Sequence, residues 1–210
     1  MYVVDRDFGF APNPFHGFCT LATCKPVIRK CAQVDDWVMG MGGSKLRACG
    51  RCVFAMRVTE KVTFDEYWSN PDFLDKRPVR NGSQKMMVGD NIYHHDQGSG
   101  GWQQANSHHS NEDGSINLYN LNRDTKADSV LISTNFYYFG KAAPVVPSDL
   151  LTRIGYRNRI GHRTFNEDDV APLLEWLQST FKGSLNRVAG EPFDFEHSEK
   201  RYSGQGSKVT

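Results

Sequence analysis

The sequence predicts one α+β domain: a mixed, mostly antiparallel, barrel-like sheet with short helices packed on it and one long helix near the C-terminus. Three observations point there. Short β-prone runs recur between glycine- and proline-rich breaks. These runs outnumber the helical stretches and do not alternate with long helices, which argues against a doubly wound sheet. The one long helical period comes late, over residues 164–182.

Each element has a local reason. Residues 2–4 are a short apolar opening strand, and the two prolines and the glycine of GFAPNP at 9–14 then break regular structure. A second strand is expected over 15–24. Residues 26–32, PVIRKCA, suit a short helix with proline in its first turn. DWVMGM at 36–41 reads as a strand running into Gly42, Gly43 and Ser44, and RCVFAMRV at 51–58 as a buried strand. Thr63 with Glu66 has capping-box spacing for a helix over 64–69. Residues 75–83 are expected to be loop, 86–93 a strand broken at Gly89-Asp90, and 97–115 an irregular loop rich in Gly, Ser, Asn and His. Strands at 129–133 and 135–140 lie close enough for a bend or bulge to join them. In the long helix Val170, Leu173, Leu174, Leu177 and Phe181 form one apolar stripe, with Thr164 and Glu167 as a capping box. Residues 1–197 form the domain, and 198–210 read as a flexible tail.

Composition bounds the class. A chain of 210 residues with 39% hydrophobic and 23% charged residues has core enough without staples. The net charge of +1 decides little; the sequence shows no basic tail of the kind that coats a duplex, so a nucleic-acid contact has to be a local patch or pocket. No apolar run reaches the roughly 18 residues of a membrane span. Five cysteines, an odd number, fit reduced thiols and a cytoplasmic setting. No Walker A, G-x-G-x-x-G, G-x-S-x-G or H-E-x-x-H motif is present.

The densest chemistry lies in DRDFGFAPNPFHGFCTLATCKPVIR, residues 5–29. Rigid turns there hold an amide, thiols, a hydroxyl and basic groups in fixed geometry. Lys25 and Arg29, four apart at a helix start, suit a phosphate; the alternative is a proline turn followed by a surface helix. Asn13, Phe15, Thr20 and Ser44 are candidate contacts to a base or sugar, set against backbone capping of their own turns. Trp37 suits a base cage or, more simply, the core. Trp102, between glycines and glutamines, suits a stacking lid or an anchor of its loop. Alternate spacing on a strand puts His94 and Asp96 on one face, an arrangement that suits a general base, with Cys24 or Lys25 as nucleophile, or a metal pair. The alternative is a solvated His-rich loop, with His108-His109 at its far side. Cys49-Gly-Arg-Cys52 supplies half a zinc site, so no metal and no cofactor are expected. Arg153, Arg157, Arg159 and Arg163 around Tyr156 suit a backbone-tracking strip or a solvated face.

DFGFAPNPFHGFCTLATCKPVIR, followed by DDWVMGMGGS and FAMRVTEKVTFDEYW, resembles the second family of nucleotide-modification-associated domains over residues 1–145. That family is named for gene neighbourhoods encoding DNA base modification, which implies a nucleotide or DNA partner, possibly with a modified base, and protein partners from a modification or phage-defence system. The order of basic helix, D-W-V, glycine turn, apolar strand and YWSNPDF is similar to EVE and other PUA-like barrels, which implies a nucleotide held in an aromatic pocket. Three functions follow: a reader of a nucleotide, an enzyme acting on a base or nucleotide, or a protein-interaction subunit.

Overall fold

The computed structural model describes residues 1–205 and 208–210. In chain order the elements are β1 (Tyr2–Val4), β2 (Cys19–Leu21), α1 (Pro26–Cys31), β3 (Trp37–Gly42), β4 (Cys52–Arg57), β5 (Glu60–Val62) and α2 (Phe64–Ser69). Then come α3 (Gln84–Met87), β6 (Tyr93–His95), β7 (Trp102–Gln104), α4 (Leu118–Asp124), β8 (Val130–Ser133) and β9 (Asn135–Tyr138). The last are α5 (Ser148–Arg153), α6 (Glu167–Thr180), β10 (Arg187–Val188), β11 (Tyr202–Ser203) and β12 (Lys208–Val209).

The architecture is mixed α+β. One sheet has the order β1-β3-β4-β9-β10, antiparallel at its centre and parallel at both edge pairs. A second, antiparallel sheet runs β2-β8-β5, and β6-β7 and β11-β12 are two-stranded. Among the described residues no sheet closes on itself, so the expected barrel has no counterpart in these strands. No helix among them is long and apolar enough to cross a membrane.

The two neighbouring strands β8 and β9 belong to different sheets. Rather than one bent strand, the chain turns at Thr134, whose N–H donates to Thr59 Oγ1, and Ser133 Oγ donates to the Asn135 carbonyl. The turn divides the interior into two apolar clusters. One is built on the β3-β4-β9 layer with Leu173 and Leu177 of α6, the other on Phe8, Phe10, Phe15, Phe64, Tyr67 and Ile132.

Local signals were realised unevenly. The Thr63–Glu66 capping box is formed in full. In α6 the N-cap is Asn166, without a side-chain bond, in place of Thr164, and Pro172 sits inside the helix. The strand expected at 86–93 is instead the short helix α3, and pairing starts only at Tyr93. The irregular 97–115 segment contains β7 and a buried turn at 107–110. Lys76, expected in a loop, is fully buried at the end of a 3-10 turn, donating to the Asn13 and Phe18 carbonyls and to Asn13 Oδ1. The C-terminal segment pairs as β11-β12 and packs on the domain, the Tyr202 N–H donating to the His108 carbonyl; Gly206 and Ser207 of the expected tail lie outside the described residues.

Candidate active site

Between the two apolar clusters lies a cavity of about 200 Å³, lined in part by Tyr2, Phe10, Cys24, Lys25, His109 and Tyr202. Cys24 follows β2 and precedes α1. It takes a left-handed φ of 55°, and Lys25 follows at 40°. Two successive non-glycine residues in that region cost roughly 1–3 kcal/mol each and persist only where neighbours over-determine them. Two hydrogen bonds supply that constraint. The Cys24 N–H donates to Asp124 Oδ1 at 2.9 Å, and Arg29 Nε donates to the Cys24 carbonyl at 2.9 Å. Pro26 then starts α1 with its φ preset.

Cys24 Sγ stands 3.6 Å from His109 Nε2. On the other side of the ring, Nδ1 is 2.9 Å from Asp124 Oδ2. Tyr93 Oη donates to the same carboxylate oxygen at 3.0 Å. Thiol, imidazole and carboxylate are therefore linked in series, with the sulfur half-buried at the cavity and the other two groups buried.

The scaffold of this relay is long-range. His109 sits in the 107–110 turn, where Ser107 Oγ accepts its N–H and Gln104 and Asn120 side-chain amides donate to its carbonyl. Asn117 caps α4, whose 120/124 spacing puts Asn120 and Asp124 on one face. Arg29, fully buried, donates to the carbonyls of Asp124, Ala127 and Ser129, tying the end of α4 to the Cys24 turn.

The charges follow from these contacts. Burial disfavours the His109 imidazolium, but the Cys24 sulfur and the Asp124 carboxylate outweigh it and raise its pKa to about 10. For Asp124 burial is likewise outweighed, by His109, and its pKa is lowered. The adjacent His108 behaves oppositely. Burial among Phe8 and Phe10 lowers it to about 3, and as a neutral ring it donates from Nδ1 to the Lys200 carbonyl at 2.7 Å. Burial also lowers the Lys25 pKa.

Of the residues singled out from sequence, Cys24 and Lys25 face the cavity and Arg29 braces it. The imidazole that meets Cys24 belongs to His109, not His94. His94 stacks on Trp68 with centroids 4.0 Å apart, and Asp96 accepts from the Ser99 N–H and hydroxyl. Asn13 and Thr20 turn inward: Asn13 Nδ2 donates to the Val88 carbonyl, and Thr20 Oγ1 donates to Asp90 Oδ2. Phe15 packs on Phe195 in the core, and Ser44 is exposed in a turn. Trp37 lines a separate cavity of about 460 Å³ beside α6. Trp102 packs edge-on against Phe64 and over His95, an anchor of its hairpin. His109, Asp124, Tyr93, Arg123 and Tyr202 carried no local signal beyond the His-rich look of their loop.

Cys24, His109 and Asp124 each offer a metal-ligand atom, all within 4.8 Å of one another. No curated protein and no solved structure matches the chain. The chain belongs to the nucleotide modification associated domain 2 family, whose model it matches over residues 1–199.

Proposed function

We propose that this domain is a thiol enzyme that makes or cleaves an acyl bond on a nucleotide-borne group. The observation that supports this reading is the Cys24–His109–Asp124 relay opening on a cavity. At rest the proton of the pair sits on His109 Nε2, in line with its raised pKa, and the Cys24 sulfur attacks an acyl carbon to give a thioester. His109 returns the proton to the departing amine or alcohol. Water, or an acceptor amine, deprotonated by the same nitrogen, then attacks the thioester and regenerates the thiol. Asp124 is a positioning residue: it fixes the ring with Nε2 toward sulfur and balances the imidazolium. The nucleotide part of the reading rests on the family's description, and the aromatic walls of Phe8, Phe10 and Tyr202 suit a base.

The test is acetylation by p-nitrophenyl acetate, followed by mass spectrometry of the intact and digested protein. One acetyl group should appear on Cys24 with a stoichiometric burst of nitrophenolate, and be lost in Cys24→Ala and His109→Ala. Cys31 and Cys49 are exposed internal controls. Equal labelling of all three cysteines, or an undiminished burst in His109→Ala, would remove the relay from the mechanism.

A further inference from the structure

A basic segment outside the relay runs to the rim of its cavity. Between Asp149 and Glu167 the sequence carries Arg153, Arg157, Arg159, His162 and Arg163 and no carboxylate. All five residues are exposed. Among the described residues none of the four guanidinium groups takes part in an ion pair or a hydrogen bond. The carboxylates on either side are engaged elsewhere. Asp149 lies in the first turn of α5, and Glu167, Asp168 and Asp169 in that of α6, where each suits the positive helix end.

The segment is fastened to the sheet. Asn158 Nδ2 donates to the Gly42 carbonyl at 3.0 Å. The Met1 ammonium donates to the Arg163 carbonyl at 2.7 Å, the Arg163 N–H donates to the Met1 carbonyl at 2.9 Å, and His162 bridges to Tyr2. These bonds hold the segment against β1 and the end of β3, and Ile160 and Gly161 line the cavity that Cys24 and His109 also line. Ile160 is 96% exposed, an apolar side chain held in water at the cavity rim. The turn that follows Gly42, closed by the Ala48 N–H donating to the Gly43 carbonyl, adds exposed Lys45 and Arg47. One carboxylate, Asp5, stands on the cavity wall against Gly43.

We propose that residues 153–163 form a docking surface for a polynucleotide strand, whose backbone lies on Arg153, Arg157, Arg159 and Arg163 and whose unpaired base reaches the cavity past Ile160. A strand presents a row of separate single charges, and a guanidinium offers each phosphate two parallel N–H donors. Cations spaced along a fastened chain match such a row; one compact anion needs them gathered around a point. A membrane-surface anchor needs an apolar helix face, whereas this segment exposes one large apolar side chain and its helix ends at Arg153. A cavity of about 200 Å³ admits a base only out of its stack, which calls for a single or locally opened strand. This deepens the thiol-enzyme reading by naming its substrate as a nucleotide within a strand, and rests on the cavity being the substrate's.

The experiment is fluorescence anisotropy of a labelled deoxyoligonucleotide of about 15 nucleotides with the full chain over a salt series. Log affinity should fall against log salt at about −0.7 for each backbone contact, so about −2.8 for four. Arg157→Gln combined with Arg159→Gln should weaken binding about tenfold or more and flatten that slope by about 1.4. Lys182→Gln combined with Arg187→Gln removes the same charge beyond the other end of α6 and should change neither. All four side chains are exposed, and circular dichroism checks that both variants fold. A saturating strand should also slow iodoacetamide labelling of Cys24, read by mass spectrometry. A ribo-oligonucleotide of the same sequence runs beside the first; either sugar binding in this way supports the surface, and the tighter names the strand. No binding, a slope unchanged in the arginine pair, an equal loss in the control pair, or equal binding to phosphatidylglycerol vesicles overturns the docking surface. Tighter binding of the duplex form, or Cys24 labelling unchanged at saturation, overturns the base in the cavity. Iodoacetamide alkylates the thiol whether or not Cys24 performs acyl chemistry, so failure of the surface and failure of the thiol-enzyme reading are distinguishable.

Discussion

Asp124→Asn changes one atom and disturbs three hydrogen bonds. Its two oxygens accept from three donors: the Cys24 N–H on Oδ1, and His109 Nδ1–H and the Tyr93 hydroxyl on Oδ2. An asparagine can keep only one oxygen as acceptor. If that oxygen serves His109 and Tyr93, the new NH2 faces the Cys24 N–H, donor against donor. If it serves Cys24, two donors lose their partner. Either way the buried imidazolium loses its countercharge. Removing one partner of a buried charged pair costs about 3–5 kcal/mol. That is a large part of a domain's total stability, about 5–15 kcal/mol. Urea denaturation followed by tryptophan fluorescence reads the loss at neutral pH. The His109 pKa is raised from 6.5 to about 10 in the folded chain, so its contribution is full below pH 6.5 and is lost as pH rises through about 10. The gap between wild type and Asp124→Asn should therefore narrow toward pH 10. A loss under about 1 kcal/mol at pH 7, the scale of an exposed pair, would refute a buried, charged relay.

Tyr93→Phe removes one of those donors and also the acceptor of the Gln104 amide; it should cost about 1–3 kcal/mol and slow Cys24 acetylation only modestly, since the His109–Asp124 contact remains. Lys76→Met takes one donor from each Asn13 oxygen and from the Phe18 carbonyl, leaves the buried Asp90 carboxylate without its countercharge, and should cost about 3–5 kcal/mol by urea denaturation, the scale for losing a buried charged partner. Burial lowers the Lys76 pKa from 10.5 to about 8, so between those values the unfolded chain holds a proton that the folded chain has lost; this residue's contribution rises with pH across that window, and titrations at pH 8 and 10 should show wild type gaining on the variant. Trp102→Ala should cost up to about 3 kcal/mol through lost packing on Phe64 while leaving Cys24 acetylation unchanged; a lost burst would place Trp102 at the cavity after all.

Legibility in the sequence tracks the range of the interaction. The box of Thr63 and Glu66, the proline-started α1 and the apolar runs of β3 and β4 are settled within a few residues, and each stands where its pattern puts it. Cys24 was legible as a thiol on a stiff turn. Its base was not, because His109 lies 85 residues away in sequence and Asp124 a hundred. The period-2 spacing of His94 and Asp96 offered a local pair, yet local spacing says nothing about what a distant turn brings in. Asn13 and Thr20 misled for a related reason: short polar side chains on a turn serve a ligand or the protein equally well. Here the fully buried Lys76 claims them, a contact spanning more than fifty residues.

The same three groups that form the relay would also suit a metal, and the hydrogen bonds separate the two. A metal takes lone pairs, and a relay uses them on protons. Both Asp124 oxygens already accept from named donors, and His109 Nδ1 is committed to one of them. Cys24 Sγ and His109 Nε2 carry no hydrogen bond except the one between them, two ligands where a structural zinc takes four and a catalytic one three. Recruiting Asp124 as the third would call on the remaining lone pair of a carboxylate that already accepts three hydrogen bonds. The left-handed backbone at Cys24 points the same way. Metal sites tolerate many backbone conformations, whereas a nucleophile has to project its sulfur past its own main chain into a cavity. The carboxylate that fixes the imidazole also fixes that strained turn through the Cys24 N–H. One buried side chain thus positions both the Cys24 turn, through its N–H, and the His109 ring.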